Sequence, residues 1–194
     1  MVLISANVAS TAERHLHPPP DNQLVIQPDD TLLLFDFRDS TSVDAWNAID
    51  DRVMGGISRS RLRHDPAGHA VFEGNVLLER NGGFASVRSS PGARGKPGTD
   101  ACVIEVRGDG KQFKLSLLTD DGFDSVNYQA SFSSETPDWQ TIRLPLTAFR
   151  ANFRGREVLG APALEPACIR QVGMMIAGHQ AGPFALDIRR IGLA

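Results

Sequence analysis

The sequence has few aromatic residues, only two cysteines and no long apolar run. Aromatic residues make up 7% of the 194 residues, and no apolar stretch approaches the roughly 20 residues that a membrane-spanning helix needs. Cys102 and Cys168 form no CxxC or Cys-His ligand spacing, and each lies in an apolar, strand-like run. We therefore expect two free buried thiols, no disulfide and no membrane span.

The chain also lacks an excess of positive charge. Its formal net charge is −3 and its isoelectric point is about 5.9, so no overall cationic field attracts phosphates and we expect no nucleic-acid partner. The N-terminal segment has no basic residue before its short apolar patch, and it lacks the Arg-rich amphipathic pattern of a transit peptide. These features predict a cytoplasmic protein.

Motifs of known catalytic and metal centres are absent from the sequence. It contains no HExxH and no GxSxG, and its five histidines are scattered. The GDGK segment at residues 108–111 has no following helix, so we interpret it as a hairpin turn rather than a phosphate loop. The acidic residues around Asp50 and Asp51 lack the spacing of a calcium loop. We predict a non-enzyme without a cofactor or metal.

Turn residues and two-residue alternation dominate the rest of the sequence. The chain has 18 Gly and 12 Pro, and Cys102, Ile104 and Val106 alternate with polar residues, as do several later runs. This pattern is typical of antiparallel strands with one buried face. It predicts an all-β sandwich of two antiparallel sheets. We expect a tail at residues 1–30 and a single domain at residues 31–194.

Local patterns predict individual elements within this domain. Leu33, Phe35 and Phe37 should share one face of the first strand. Residues 44–49 could form one helical turn. The Asn-Gly-Gly link at residues 81–83 should join residues 69–79 and 84–90 as a hairpin. Trp46 and Trp139 should pack in the core rather than form a sugar-stacking platform. Met54 and Phe84 should also be mainly buried.

The polar positions of the central strands offer a candidate binding face. If these strands are neighbours, their polar side chains would line one outer sheet face and could bind sugar hydroxyls or a protein surface. An ordinary solvated face is the alternative. The positions are Glu105, Arg107, Lys114, Ser116, Asn127 and Gln129.

Several motifs together resemble those of the complex I intermediate-associated protein 30 family. The resemblance covers about residues 32–191, nearly the whole domain. The motifs are Trp46, Asp50-Asp51, VMGGIS at residues 53–58, FEG at 72–74, NGGFASVR at 81–88, VRGDGK at 106–111, YQA at 128–130, WQTIRLP at 139–145 and GPF at 182–184.

This resemblance implies a galactose-binding-domain-like jelly roll and a role as an assembly factor or chaperone for NADH:ubiquinone oxidoreductase. The implied partner is a protein, such as a respiratory-complex subunit or an assembly intermediate. A carbohydrate-binding-module-like domain is the alternative. We expect the interaction surface on the central polar face or on the loops around Asp51, Met54 and Arg88. The predicted contact residues are Arg107, Lys114, Asn127, Gln129, Asp51 and Arg88.

We expect the two arginines of this set to have different roles. Arg107 should face outward and contact the ligand or partner, because it lies in the polar phase of its strand. Arg88 lies close to a double glycine, which suggests a crowded corner. It should instead form an internal ion pair with Asp50, Asp51 or Asp109.

Overall fold

The computed structural model describes residues 31–80 and 82–194, so the predicted tail at residues 1–30 lies outside the described residues. Strands make up 49% and helices 9% of the described residues. The helical residues form short 3-10 turns at Ser40–Val43, Asp51–Met54, Leu146–Ala148 and Pro166–Cys168. The strands are β1 (Leu32–Asp36), β2 (Trp46–Ala48), β3 (Arg59–Asp65), β4 (His69–Val76), β5 (Ala85–Ser89), β6 (Ala101–Gly108), β7 (Gln112–Leu118), β8 (Asn127–Ser133), β9 (Gln140–Pro145), β10 (Arg150–Phe153), β11 (Arg156–Glu157), β12 (Gln171–Ile176) and β13 (Gly182–Leu193).

The strands form two antiparallel sheets that pack face to face. The six-stranded sheet has the order β3-β4-β13-β6-β9, with β1 also paired to β13, and the seven-stranded sheet has the order β11-β10-β8-β7-β12-β5-β2. Every pairing between these strands is antiparallel. The predicted all-β antiparallel sandwich is therefore confirmed. The described part of the chain contains no helix long and apolar enough to cross a bilayer.

Aromatic and aliphatic side chains from both sheets fill the interior. Phe72 and Phe184 of the six-stranded sheet lie 4.9 Å apart between ring centroids, and Phe113 of the seven-stranded sheet lies 6.3 Å from each of them. All three rings are almost completely buried. Burying a phenylalanine stabilises a protein by about 2–3 kcal/mol. This three-ring cluster therefore contributes substantially to holding the sheets together.

The two links that we expected to be hairpin turns instead cross from one sheet to the other. β4 lies in the six-stranded sheet and β5 in the seven-stranded sheet, so residues 77–84 do not close a hairpin. The GDGK link likewise joins β6 and β7, which belong to different sheets. Both hairpin predictions are wrong. Alternation identifies the side of a strand that faces the core, but strands of either sheet show the same alternation.

Three smaller predictions also need correction. Leu33 is 43% exposed because a register shift between Leu33 and Phe35 interrupts the alternation of β1. The helical turn lies at Ser40–Val43, where the Asp39 side chain accepts a 2.9 Å hydrogen bond from the Thr41 N–H, whereas the middle of residues 44–49 forms β2. Cys168 is exposed, although Cys102 is buried as expected.

Candidate binding surfaces

The outward side of the seven-stranded sheet brings together four of the six predicted contact residues. Arg88 lies on β5, Lys114 on β7, and Asn127 and Gln129 on β8. All four are partly exposed. We call this surface the polar face. One row of paired residues crosses it in the order Asn47, Arg88, Gly173, Ser116, Gln129 and Arg150.

The cations of the polar face contact uncharged acceptors. Lys114 Nζ lies 3.4 Å from Gln129 Oε1. Arg88 Nη1 donates to the Phe123 carbonyl at 2.8 Å, and Arg150 Nη1 donates to the Thr147 carbonyl at 2.7 Å. Within residues 31–80 and 82–194, none of these three cations forms a salt bridge. The face therefore carries positive charge that the described residues do not neutralise by direct contact.

The Arg88 guanidinium and the Asn127 carboxamide on this face are partly shielded from water. Burial lowers the pKa of the Arg88 guanidinium, while the more distant carboxylates of Asp120 and Asp124 act in the opposite direction. The predicted ion pair of Arg88 with Asp50, Asp51 or Asp109 is wrong, because the Arg88 guanidinium donates to the Phe123 carbonyl and forms no salt bridge with these aspartates. Asn127 Oδ1 is buried and has no hydrogen-bond partner among the described residues. It is an acceptor that a bound molecule could use.

Arg107 lies on the opposite side of the molecule from this face, because β6 belongs to the six-stranded sheet. Its Nε and Nη2 atoms donate to Asp187 Oδ2 at 2.9 and 2.5 Å. The central polar positions therefore form two surfaces rather than one. Arg107 and Glu105 cannot share a binding site with Lys114, Asn127 and Gln129 on a single sheet face.

Charges on the outer side of the six-stranded sheet are largely paired with one another. Arg61 contacts Glu73 at 2.6 Å, and Arg189 and Arg190 contact Glu105 at 3.0 and 2.8 Å. These arginines form salt bridges with these carboxylates, as Arg107 does with Asp187. This surface therefore has less charge available for a partner than the polar face.

The two tryptophans occupy different environments. Trp46 is 9% exposed and packs against Phe35 at 4.9 Å between ring centroids, as expected for a core residue. Trp139 is only partly buried, and its ring lies 4.9 Å from the Arg107 guanidinium carbon and 4.0 Å from that of Arg189. Its predicted core position is wrong. The arginines stack on this ring and so help to order the outer side of the six-stranded sheet.

Exposed apolar side chains lie beside the polar face at its Arg88 end. Phe123, in the link between β7 and β8, is 65% exposed, and Val53 is 60% exposed. Both line a depression of about 370 Å³. Phe123 also borders a second depression of about 350 Å³, which Arg88 and Gln171 help to line. We call Phe123 and Val53 the apolar rim.

The loop that carries Phe123 is anchored on both sides. Arg170 forms two hydrogen bonds with the Asp121 carboxylate, at 2.8 and 2.9 Å, and Arg154 pairs with Asp124. These guanidinium groups hold the pKa values of both carboxyls below their usual range. Gln171 Nε2 donates to the Asp120 carbonyl at 2.8 Å. The exposed phenylalanine therefore projects from a loop with several fixed contacts.

Sequence reasoning missed Phe123 and misjudged Met54. Phe123 stands alone in the polar segment DDGFDS, outside any alternating run, which was a usable signal of an exposed aromatic residue. Met54 was expected in the core but is 55% exposed. The short 3-10 turn Asp51–Met54 buries Asp51 instead and ends at Gly55, whose φ of 90° reverses the chain.

Asp51 is an internal residue that connects three parts of the chain. Its carboxylate is fully buried and accepts hydrogen bonds from the Ser58 N–H at 2.9 Å, the Ser58 hydroxyl at 2.5 Å and the Gly83 N–H at 2.9 Å. A Cβ atom at Gly56 would overlap this carboxylate, and one at Gly82 would overlap the Leu77 carbonyl. The side chain of Asp51 has no exposed surface for the partner contact expected from the sequence.

Asp50 makes a similar connection beside Asp51. Its carboxylate accepts hydrogen bonds from the Ser60 N–H at 3.0 Å, the Ser60 hydroxyl at 2.5 Å and the Ser86 N–H at 3.1 Å. It thereby joins β3 of one sheet to β5 of the other. The paired aspartates and nearby glycines thus have a structural explanation. In the part of the chain that the structure describes, no group of three or more His, Cys, Asp or Glu side chains is placed to hold a metal ion.

Comparison with known proteins identifies the family. The sequence profile of the Complex I intermediate-associated protein 30 family matches residues 35–188. The chain belongs to this family. The match spans most of both sheets, including the buried aspartates and the polar face, and it confirms the family resemblance found in the sequence.

Three related proteins are matched over different shares of their own length. Complex I intermediate-associated protein 30, mitochondrial, of Drosophila melanogaster is 27% identical over 196 residues, covering 89% of this chain and 66% of the fly protein. Its Mus musculus counterpart is 25% identical, covering 83% of this chain and 55% of the mouse protein. An uncharacterized protein of Schizosaccharomyces pombe is 27% identical, with 82% of each chain covered. The chain thus spans about two thirds of the fly protein and just over half of the mouse protein.

Solved structures with a similar fold include carbohydrate-binding modules. The family 11 module of the cellulosomal cellulase Lic26A-Cel5E of Clostridium thermocellum has a TM-score of 0.61 and 15% identity, covering 84% of this chain and 94% of the module. The same family's module in complex with a mixed-linked tetrasaccharide has a TM-score of 0.60 and 16% identity, with the same coverage. At this level of identity the likeness shows a shared β-sandwich fold.

Proposed function

We propose that this Complex I intermediate-associated protein 30 family member is a non-catalytic domain that binds a protein through its polar face and apolar rim. The observation that carries the proposal is the contrast between the two sheets. Most outer charges of the six-stranded sheet are paired, although Arg59 of β3 forms no salt bridge with a described residue, whereas Arg88, Lys114 and Arg150 on the seven-stranded sheet contact uncharged acceptors.

An exposed aromatic residue beside desolvated polar groups is a common arrangement at protein interfaces. Phe123 offers a large apolar surface, and Arg88 below it is already partly desolvated. Such residues often contribute most of the binding free energy, surrounded by weaker polar contacts. The names of the fly and mouse relatives support a respiratory-complex subunit or complex I assembly intermediate as the partner.

Carbohydrate binding is a second candidate function. The shared fold with family 11 modules favours it, as do the carboxamides of Asn127 and Gln129, which can hydrogen-bond sugar hydroxyls. However, the outward positions of β5, β7, β8, β10 and β12 carry no aromatic residue on which a sugar ring could stack. This composition favours a protein partner.

Site-specific photocrosslinking tests the proposed surface. A photoreactive residue replaces Ser131, an exposed position on β8 of the polar face, and the matched control replaces Thr141, an exposed position on β9 of the other sheet. Crosslinking in extract, followed by mass spectrometry, should recover a protein from position 131 and not from position 141. Phe123→Ala should reduce that crosslink.

Two results would contradict this proposal. The first is equal crosslinking of the same protein at positions 131 and 141, and the second is a position-131 crosslink that persists unchanged in the Phe123→Ala variant. Saturable binding of a mixed-linked glucan oligosaccharide, weakened by Gln129→Ala, would instead support the carbohydrate candidate.

A further inference from the structure

The polar face presents its three cations on three separate strands. In the sheet order β10-β8-β7-β12-β5, Arg150, Lys114 and Arg88 are two strand positions apart in succession. Neighbouring strands lie about 4.8 Å apart. The Cα atoms of Arg88 and Arg150 are thus roughly 19 Å apart, since both lie in one row of paired residues.

Lys114 lies to one side of that row. It comes two residues before Ser116 on β7. Because Ser116 is in the row, Lys114 is displaced from the row by about 7 Å along the strand. It is then roughly 12 Å from each of the two arginines. An extended peptide advances about 3.3 Å per residue. Side chains four residues apart in such a peptide point to the same side and are about 13 Å apart, which matches the distance between successive cations of the polar face.

The positions between the cations do not obstruct a peptide that crosses the strands. Gly173 and Ser116 occupy the row between Arg88 and Gln129. Gly173 has no side chain, and the short Ser116 side chain is buried. A bound segment could therefore lie across the sheet at this point, with its longer side chains directed to the surrounding polar groups.

The five strands that carry or separate the three cations lack the opposite charge, and Glu157 lies outward at the edge of the sheet, on β11 opposite Asn152. No Asp or Glu occupies the outward positions of β5, β7, β8, β10 or β12. A carboxylate from a partner would give each cation an acceptor of opposite charge and so add the attraction of an ion pair to the hydrogen bond. The buried Asn127 Oδ1 could accept a hydrogen bond from the partner's backbone.

We infer that the polar face binds an extended acidic segment of a protein, whose carboxylates, about four residues apart, contact Arg88, Lys114 and Arg150. This inference rests on the proposed function and adds the chemical class of the partner. The segment crosses the strands of the seven-stranded sheet, and its backbone groups meet the carboxamides of Asn127 and Gln129.

Fluorescence anisotropy with defined peptides tests the inference on the full chain. The probe is a short fluorescein-labelled peptide with glutamate at every fourth position and serine elsewhere. One control peptide has glutamine in place of each glutamate, and another has the same composition with its glutamates adjacent. The spaced acidic peptide should bind best, and added salt should weaken its binding because salt screens charges that are partly exposed.

Charge-removing variants locate the binding site. Lys114→Gln and Arg150→Gln should each weaken binding of the spaced acidic peptide by about five-fold, the effect of losing one partly exposed ion pair. Arg59→Gln, which removes the same charge from an exposed arginine of β3 on the other sheet, should change the affinity less than two-fold.

Several results would overturn the inference. Equal binding of the spaced and adjacent acidic peptides would indicate attraction to any polyanion, and equal effects of Arg59→Gln and Lys114→Gln would remove the polar face from the interaction. Binding of heparin in place of the peptide, with the same dependence on Lys114 and Arg150, would assign the face to a sulfated glycan.

The crosslinking experiment separates this inference from the proposed function. One outcome is that position 131 captures its protein in the Lys114→Gln and Arg150→Gln variants as well as in the unmodified chain. In that case the partner is not recognised through an acidic segment, and the proposal that the polar face binds a protein remains supported. If position 131 captures no protein in any variant, the proposed function itself fails.

Discussion

Replacing Asp51 with alanine should destabilise the domain more than any exposed acidic substitution. The change leaves the N–H groups of Ser58 and Gly83 without their buried acceptor, whereas the Ser58 hydroxyl can still reach the Leu77 carbonyl at 3.2 Å. Each unsatisfied buried donor costs about 1–3 kcal/mol. Two such donors give about 2–6 kcal/mol, partly offset because the variant no longer buries a charge. We expect a loss of about 3 kcal/mol.

Asp51→Asn sharpens this prediction because it preserves the side-chain volume. Asp51 Oδ1 accepts from the Ser58 N–H, and Oδ2 accepts from both the Ser58 hydroxyl and the Gly83 N–H. Either orientation of an asparagine amide would direct its NH₂ group at a backbone donor. Asparagine should therefore be nearly as destabilising as alanine.

Urea unfolding measures the free energies of these variants. Asp44→Ala serves as the control, since Asp44 is exposed and its expected change is within about 0.5 kcal/mol. For a domain of this size, a loss of about 3 kcal/mol corresponds to a fall in Tm of roughly 6–12 °C. An Asp51→Asn variant within about 1 kcal/mol of the unmodified protein would show that the buried carboxylate does not hold these links together.

The remaining predictions concern the glycine beside Asp51, the two thiols and the apolar rim. Gly56→Ala should destabilise the unmodified protein but have a smaller effect in the Asp51→Ala background, because the overlap with the carboxylate is then removed. A double-mutant cycle in urea should show coupling of at least about 1 kcal/mol, and additive effects would contradict the overlap. Cys168 is exposed and should react promptly with a thiol reagent, whereas Cys102 should react only upon unfolding. Burial raises the pKa of the Cys102 thiol to about 12, so the unfolded chain loses this proton first and stability should fall as the pH rises above about 9. Cys102→Val should reduce that fall, and an unchanged pH profile would contradict the assignment. Phe123→Ala should change the free energy of unfolding by no more than about 0.5 kcal/mol, because the ring is 65% exposed, and a larger loss would show that the ring supports the fold.

Several features of the fold could be predicted from the sequence because they depend on local periodicity. Alternating apolar residues identified the core side of β6 and β7, where Cys102, Ile104, Phe113 and Leu115 are buried. A strand with one apolar side must cover that side, whichever sheet contains it. The abundance of turn residues likewise indicated short strands rather than long helices.

The buried aspartates were recognisable as part of a family motif, but their role was not. In the sequence, Asp51 lies among Arg52, Val53 and Met54, with no indication that the aspartate is buried and the two apolar residues are exposed. The distinction depends on Gly83, which is far along the chain and donates to the Asp51 carboxylate. A hydrogen bond over such a separation has no local pattern.

The sequence alone determined the all-β class, the family and the alternation of most strands, because each of these follows from residue types at short spacing. Only the tertiary structure decided which polar positions share a surface. Arg107 and Lys114 are seven residues apart, and each lies at a polar position of its own alternating strand. The GDGK link between these strands nevertheless carries the chain from one sheet to the other. The two side chains consequently lie on opposite sides of the sandwich, because pairing between distant strands sets the sheet to which each strand belongs.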